Sequence, residues 1–184
     1  MKTSTAELIA DLTARTKQVL RDAQEFKTHS LEELNTRESS ESWSALECIE
    51  HLNRYGEFYI PEIELKIMES GYAPQKVFKS VRLGDFFAES MLPKESMKKI
   101  KTFKDKNPLG SRLDKNVLTT FLDQQHKLLE LLEEARDVSL IKTRVPTSIS
   151  KWLTLKLGDT FRVLVYHNQR HIKQARNAMK HSKK

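Results

Sequence analysis

The chain has 184 residues, 38% hydrophobic and 31% charged, with a net charge of +7. That is enough chain to bury one core without staples, and the single cysteine, Cys48, excludes an internal disulfide framework. Five glycines and five prolines are few for a turn-rich β fold, and no run approaches the ~18 apolar residues of a membrane span.

The N-terminal stretch MKTSTAELIADLTARTKQ lacks the apolar segment of a secretion signal, so a cytoplasmic location is expected. Leu8, Leu12, Val19, Ala23 and Phe26 recur at helical spacing and predict a first helix from Ser4 to Phe26. A second is predicted from Ser44 to Glu69. Ser44 to Glu47 reads as a capping box, Ala45, Cys48, Leu52, Tyr55 and Tyr59 as the stripe, and Gly71 as the stop. Pro61 inside this pattern predicts a kink or break near Phe58 to Ile60.

Residues 71–113 form a long crossover punctuated by Pro74, Pro93, Pro108 and Gly110, with a short helix expected around Asp85 to Met91. Connections of that length are commonly functional covers or linkers. A third helix is predicted from Asp114 to Ala135, through Leu118, Phe121, Leu122, Leu128, Leu129 and Leu132. Residues 137–157, rich in β-branched side chains, should run extended over the end of the helices. The fourth helix, Gly158 to Met179, turns Phe161, Leu164, Val165, Ile172, Ala175 and Met179 inward. The expected fold is all-α: a four-helix bundle with a long crossover between helices two and three, one domain over 1–184.

Basic residues concentrate in Lys94 to Lys106 and in the tail from Arg170 to Lys184. Neither stretch carries a row of aromatics for base stacking, and neither matches a nucleic-acid module. A solvated linker and a helix end whose cations suit the dipole account for the charge, so nucleic acid is not expected as a partner.

His167 and His171, in HNQRH, stand four residues apart, which puts both rings on one helix face within reach of one ion. Leu164 lies one turn before the pair and Ala175 one turn after it, placing it within or beside the buried stripe. His51, on the second helix between Cys48 and Tyr55, is a third histidine on a core side. Each also reads as a core-edge polar residue bonded to a neighbour, and three on two packed helices make the stronger case for a ligand set. Three neutral imidazoles form a facial set with a position left for water or substrate, as in catalytic sites. Glu47, one turn before His51, and Gln174, three residues after His171, are candidates to orient the rings. Asn168 occupies the place of the HExxH glutamate, so a zinc peptidase is not expected. Cys48 reads as a small buried hydrophobe. His126 is left unassigned, and His29 and His181 read as loop and terminal residues.

The stretch WSALECIEHL at 43–52 resembles the second-helix segment of the DinB-like superfamily. VPTSISKWLTLKLGDTFRVLVYHNQRHIKQA at 145–175 resembles that family's last connection and fourth helix. These two stretches are about a quarter of the chain. The resemblance implies a four-helix bundle, often a homodimer, with a zinc- or nickel-type divalent ion held by His51, His167 and His171. Many relatives have glutamate at the position of Asn168; the difference leaves the three ligands intact, leaves that glutamate's role without its residue here, and makes Asn168 a third candidate to orient the rings.

Members with assigned activities include thiol-S-transferases using low-molecular-weight thiols, thiol-dependent isomerases and metal-dependent hydrolases. The implied function is therefore a metal-dependent enzyme of the thiol-S-transferase or hydrolase kind, acting on a small-molecule substrate, with a low-molecular-weight thiol as a second cofactor. The alternative is a non-catalytic small-molecule or stress-related binding protein with a structural or vestigial metal site.

Overall fold

The computed structural model of the protein describes residues 1–93 and 102–180. The described residues are mostly helical, with six α-helices and two small antiparallel sheets. Four of the helices are long: α1 (Thr5–Phe26), α3 (Ala45–Met68), α5 (Asn116–Glu134) and α6 (Leu157–Lys180). Short helices α2 (Leu31–Asn35) and α4 (Arg82–Met91) sit in the connections.

Three helix starts follow from side-chain chemistry. Ser4, Ser30 and Ser44 each accept a bond from the N–H three residues on, while Glu7, Glu33 and Glu47 reach back to the cap's own N–H. Each box satisfies two otherwise orphaned donors and contributes about 1 kcal/mol. Pro61 lies inside α3 without breaking it, so of the kink or break expected from sequence the break is not found. A proline removes one helical hydrogen bond to the residue four back. Here that residue, Glu57, is exposed, as is Pro61, so water can meet the orphaned carbonyl. Nor does Gly71 cap α3 in the left-handed region, since the only positive φ in the described chain is at Gly110.

The long helices pack α1 and α3 each against both α5 and α6. The core falls into two clusters along their length. In one, Leu8 and Leu12 of α1 meet Ile63 of α3, Leu128 and Leu132 of α5, and Phe161 of α6. In the other, Val19 and Phe26 meet Leu46 and Leu52, Phe121, and Ile172. Each buried side chain of this kind contributes roughly 1.5–3 kcal/mol. The membership also fixes direction: the start of α1 and of α6 share an end with the finish of α3 and of α5. α3 and α5 therefore run the same way, and their connection must travel back the full length of the helices. This is the physical reason for the long crossover.

That crossover carries β2 (Val77–Lys79), which pairs with β1 (Lys2–Ser4), then α4, then a 3₁₀ turn at Lys104–Lys106. The stretch expected to be extended, 137–157, forms a hairpin of β3 (Arg144–Thr147) and β4 (Ser150–Lys156), so the fold is not free of sheet. At the β4–α6 junction Gly158 lets the Phe78 ring lie where a Cβ would be, 2.4 Å from its nearest atom. Buried Asp159 accepts from Ser80 Oγ (2.6 Å) and Arg162 Nη1 (2.9 Å), and Arg162 also holds Asp85 of α4 (2.7 Å). These contacts fix α6 against the crossover two turns before its histidines.

Candidate metal centre

His51 lies in the second turn of α3, and the start of that helix is bound to the crossover by Glu47. The Glu47 carboxylate is fully buried and is held by Arg37 through two bonds of 2.8 Å, by the N–H of Ser44 (2.8 Å), and by those of Gly110 (2.6 Å) and Ser111. Burial alone would raise its pKa, but Arg37 and these N–H donors hold it below the usual carboxylate range. The positive φ at Gly110 (87°) lets the turn present that N–H.

The neighbouring segment is laced to α3 as well. Arg54 Nη1 donates to the carbonyls of Asp105 (3.3 Å) and Asn107 (3.2 Å), Lys106 Nζ donates to the carbonyl of Arg54 (2.8 Å), and Trp43 Nε1 donates to Asn107 Oδ1 (3.1 Å).

The carbonyl thus fixed, that of Lys106, lies 2.7 Å from His51 Nδ1. A carbonyl only accepts, so Nδ1 carries the proton and the Nε2 lone pair is directed away from it. That Nε2 lies 3.2 Å from Nε2 of His167. His171 Nδ1 is 2.9 Å from Gln174 Oε1, which orients the third ring in the same manner. One nitrogen from each of the three buried residues lies within 4.8 Å of the others. Nitrogens bound at ~2.0–2.1 Å to one ion, at angles between octahedral and tetrahedral, lie about 2.9–3.4 Å apart. The His51–His167 separation falls in that range, and the donor set suits a divalent ion of the zinc or nickel type.

A family model described as the DinB superfamily matches residues 12–175, a span that includes all three histidines. The chain belongs to the DinB superfamily. Among curated proteins and among solved structures nothing matches it.

In this DinB-superfamily chain the three imidazoles are 3%, 8% and 8% exposed. Burial pushes the pKa of His51 down to about 4, with the charges of Arg54 and Lys106 adding to the effect. Burial lowers His167 and His171 well below the usual imidazole value; His171, His51 and Arg170 add to the effect at His167, and His51 and Arg170 at His171. All three are therefore neutral at pH 7, the form in which imidazole ligates a metal.

They face a cavity of about 690 Å³, within the usual size of small-molecule sites. Trp43 and Tyr55 flank the rings, Trp43 at 4.6 Å and Tyr55 at 5.0 Å from His51 between centroids. The crossover supplies a further wall through Phe87, Met91 and Phe103, as its length led one to expect. Lys94 to Lys101 and His181, part of the basic stretches, lie outside the described residues.

Two of the expected ring-orienting residues work otherwise. Glu47 spends its oxygens on Arg37, Ser44, Gly110 and Ser111, and acts on His51 only through the loop it pins. Asn168 follows His167 by one residue, which on a helix turns it to another side, and its Nδ2 donates to Gln125 Oε1 of α5 (2.8 Å). Gln174 keeps its Oε1 on His171 Nδ1 at 2.9 Å. His126 is exposed and has no share in the cluster. Cys48 is fully buried, and burial raises its thiol pKa above the normal range.

Sequence reasoning did not find Lys106, whose contribution is a backbone atom and leaves no residue signature. In the sequence Trp43 stands out only within the WSALECIEHL stretch, Tyr55 as a stripe residue and Arg170 as the head of a basic tail suited to the helix dipole. All three line the cavity.

Proposed function

We propose that the chain is a metal-dependent enzyme of the thiol-S-transferase kind, built on a four-helix bundle, with His51, His167 and His171 holding a zinc- or nickel-type ion. The observation that supports this most is the convergence of three neutral, oriented imidazoles at the wall of a cavity large enough for a substrate. A structural zinc site closes its coordination with four protein ligands, whereas catalytic sites keep a position open. A divalent ion bound there supplies Lewis acidity and lowers the pKa of a coordinated thiol or water towards neutrality.

The chain's own residues orient and enclose. Lys106 O and Gln174 fix two of the ring tautomers, while Trp43 and Tyr55 shield the histidine side of the cavity from water. Burial, with Tyr59 and Asp105 adding to it, pushes the Tyr55 phenol up to about 12. Tyr55 therefore stays protonated and can donate a hydrogen bond to a ligand beside the histidines. Thiol chemistry is favoured over hydrolysis because a hydrolase needs a base for its water. The carboxylates among the described cavity residues, Glu38 and Glu41, are exposed, and Asn168 stands where a peptidase has glutamate.

The test is transfer of a thiol to an activated aryl chloride by zinc- or nickel-loaded protein. The sulfur displaces chloride, and the thiol proton passes to solvent. Turnover with at least one of glutathione, cysteine or coenzyme A, lost in His167→Ala, is the expected result. A rate equal to the protein-free rate for every thiol, together with none on nitrophenyl esters, returns the chain to the non-catalytic reading.

A further inference from the structure

The histidines stand part-way along the cavity, and its two ends differ in chemistry. α3 and α6 run antiparallel, so the wall that carries the cluster continues past it in both directions. Toward the start of α3 the lining holds Glu38, Glu41 and Asn177, all exposed, with Ser42 and Gln174. Toward the other end it holds Tyr59, one turn beyond Tyr55, with Val163 and Leu164 about one turn before His167, and Leu155 of β4. Phe87 belongs to this end as well. α4 runs beside α6 in the same direction, with Gly84 against Asp159 and Asp85 bonded to Arg162, so Phe87 falls level with the turn before His167.

Among the described residues that line this second end none is charged. Its polar groups are taken up by one another: Tyr59 Oη accepts from the N–H of Ser148 (3.1 Å), and Thr147 Oγ1 donates to the carbonyl of Ser150 (3.3 Å). The Tyr55 and Tyr59 rings are nearly parallel, at 8°, with centroids 6.4 Å apart, and extend an aromatic wall away from His51. An uncharged body entering this lobe gains by leaving water, whereas a charged group would be desolvated with no partner to meet it. A low-molecular-weight thiol such as glutathione or cysteine carries carboxylate and ammonium groups near its sulfur, which suit the polar end. The apolar lobe is left for the other reactant.

We infer that this lobe binds the acceptor of the transfer, and that the acceptor is an electrophile with an uncharged aryl or alkyl body whose reactive carbon lies beside the histidines. This rests on the transferase reading above. From His51 to Tyr59 α3 rises about 12 Å, eight residues at 1.5 Å each, room for a ring carrying a short alkyl chain.

The test is calorimetric titration of cobalt-loaded and metal-free protein with the unreactive series from benzyl alcohol to 5-phenylpentanol. Each added methylene should tighten binding roughly threefold to fourfold until the lobe is filled. Both forms should show this, since the fold and not the ion makes the lobe. Phe87→Ala should move the best length to a longer alcohol, and Val163→Trp to a shorter one. In the transfer assay the best alcohol should raise the KM of the aryl chloride and leave that of the thiol unchanged.

A series without length dependence, or one whose best length neither variant moves, overturns the inference, and so does competition with the thiol instead of the aryl chloride. Cobalt content, measured on the same samples, decides the metal reading separately. Bound cobalt with a flat series fells the lobe alone, whereas a steep series with no cobalt bound and no transfer fells the acceptor's role together with the reading it rests on. Should Val163→Trp fail to fold by circular dichroism, Phe87→Ala decides, because Phe87 is only half-buried and its truncation leaves the core intact.

Discussion

The Nδ1 proton of His51 points at the carbonyl oxygen of Lys106, 2.7 Å away and 55 residues on in the chain. This bond decides which nitrogen of His51 faces the other two rings, and it is made by a crossover segment that Glu47 pins to the start of α3. Glu47→Ala is expected to cost about 3 kcal/mol of stability, since it strands the Arg37 guanidinium and several N–H groups. Metal affinity should weaken with it, as the Lys106 carbonyl loses its support. Urea unfolding and cobalt titration check both. A variant of wild-type stability with unchanged cobalt affinity would show that the pin does nothing for the ring.

Acid should destabilise the metal-free protein. His51 is held at about 4 and the other two rings well below their usual value, whereas in the unfolded chain each takes up a proton near 6.5. Between about pH 4 and 6.5 the unfolded chain binds more protons, so stability rises with pH through that window and levels above it. For His51 alone the effect is on the order of 3 kcal/mol. Urea midpoints of metal-free protein should climb from pH 5 to 6.5, with a shallower climb in His51→Gln. Identical slopes in the two proteins would contradict this.

Gly158→Ala should destabilise by about 1–3 kcal/mol, because its Cβ would sit 2.4 Å from the buried Phe78 ring. The measurement is the thermal midpoint, and the double variant with Phe78→Leu should recover part of the loss. Additive losses in the double variant would mean that the ring is not what the methyl meets.

Cys48 should behave as an inert core residue. With the thiol buried and its pKa raised, a disulfide reagent at pH 8 should leave the native protein unlabelled and label it fully in urea. Rapid native labelling would place the thiol nearer to solvent than its fully buried position.

The long helices were legible because their apolar stripes run for several turns: α1 begins at its predicted start, Ser4, and α3 at the predicted capping box of Ser44. β1 and β2, at three residues each, are too short to show alternation and exist only as each other's partner across 73 residues. The three clustered histidines were readable from the four-residue spacing on α6 and from the position of His51 on a core face. Their surroundings were not. Glu47 looked placed to touch His51 on the same helix, but a buried carboxylate takes the strongest donors it can reach, and those came from Arg37 and the Gly110 turn. Asn168 likewise bonds across to Gln125, a partner that no local pattern announces.

The central claim is that three imidazoles on α3 and α6 share one ion. The most direct measurement is elemental analysis of protein purified without a metal-affinity tag, then dialysed, for the wild type and His51→Ala. About one zinc or nickel per wild-type chain, and a loss of most of it in His51→Ala with the helical spectrum intact, is the predicted result. Wild-type protein free of metal after challenge with both ions, or a metal content unmoved by His51→Ala, would contradict it.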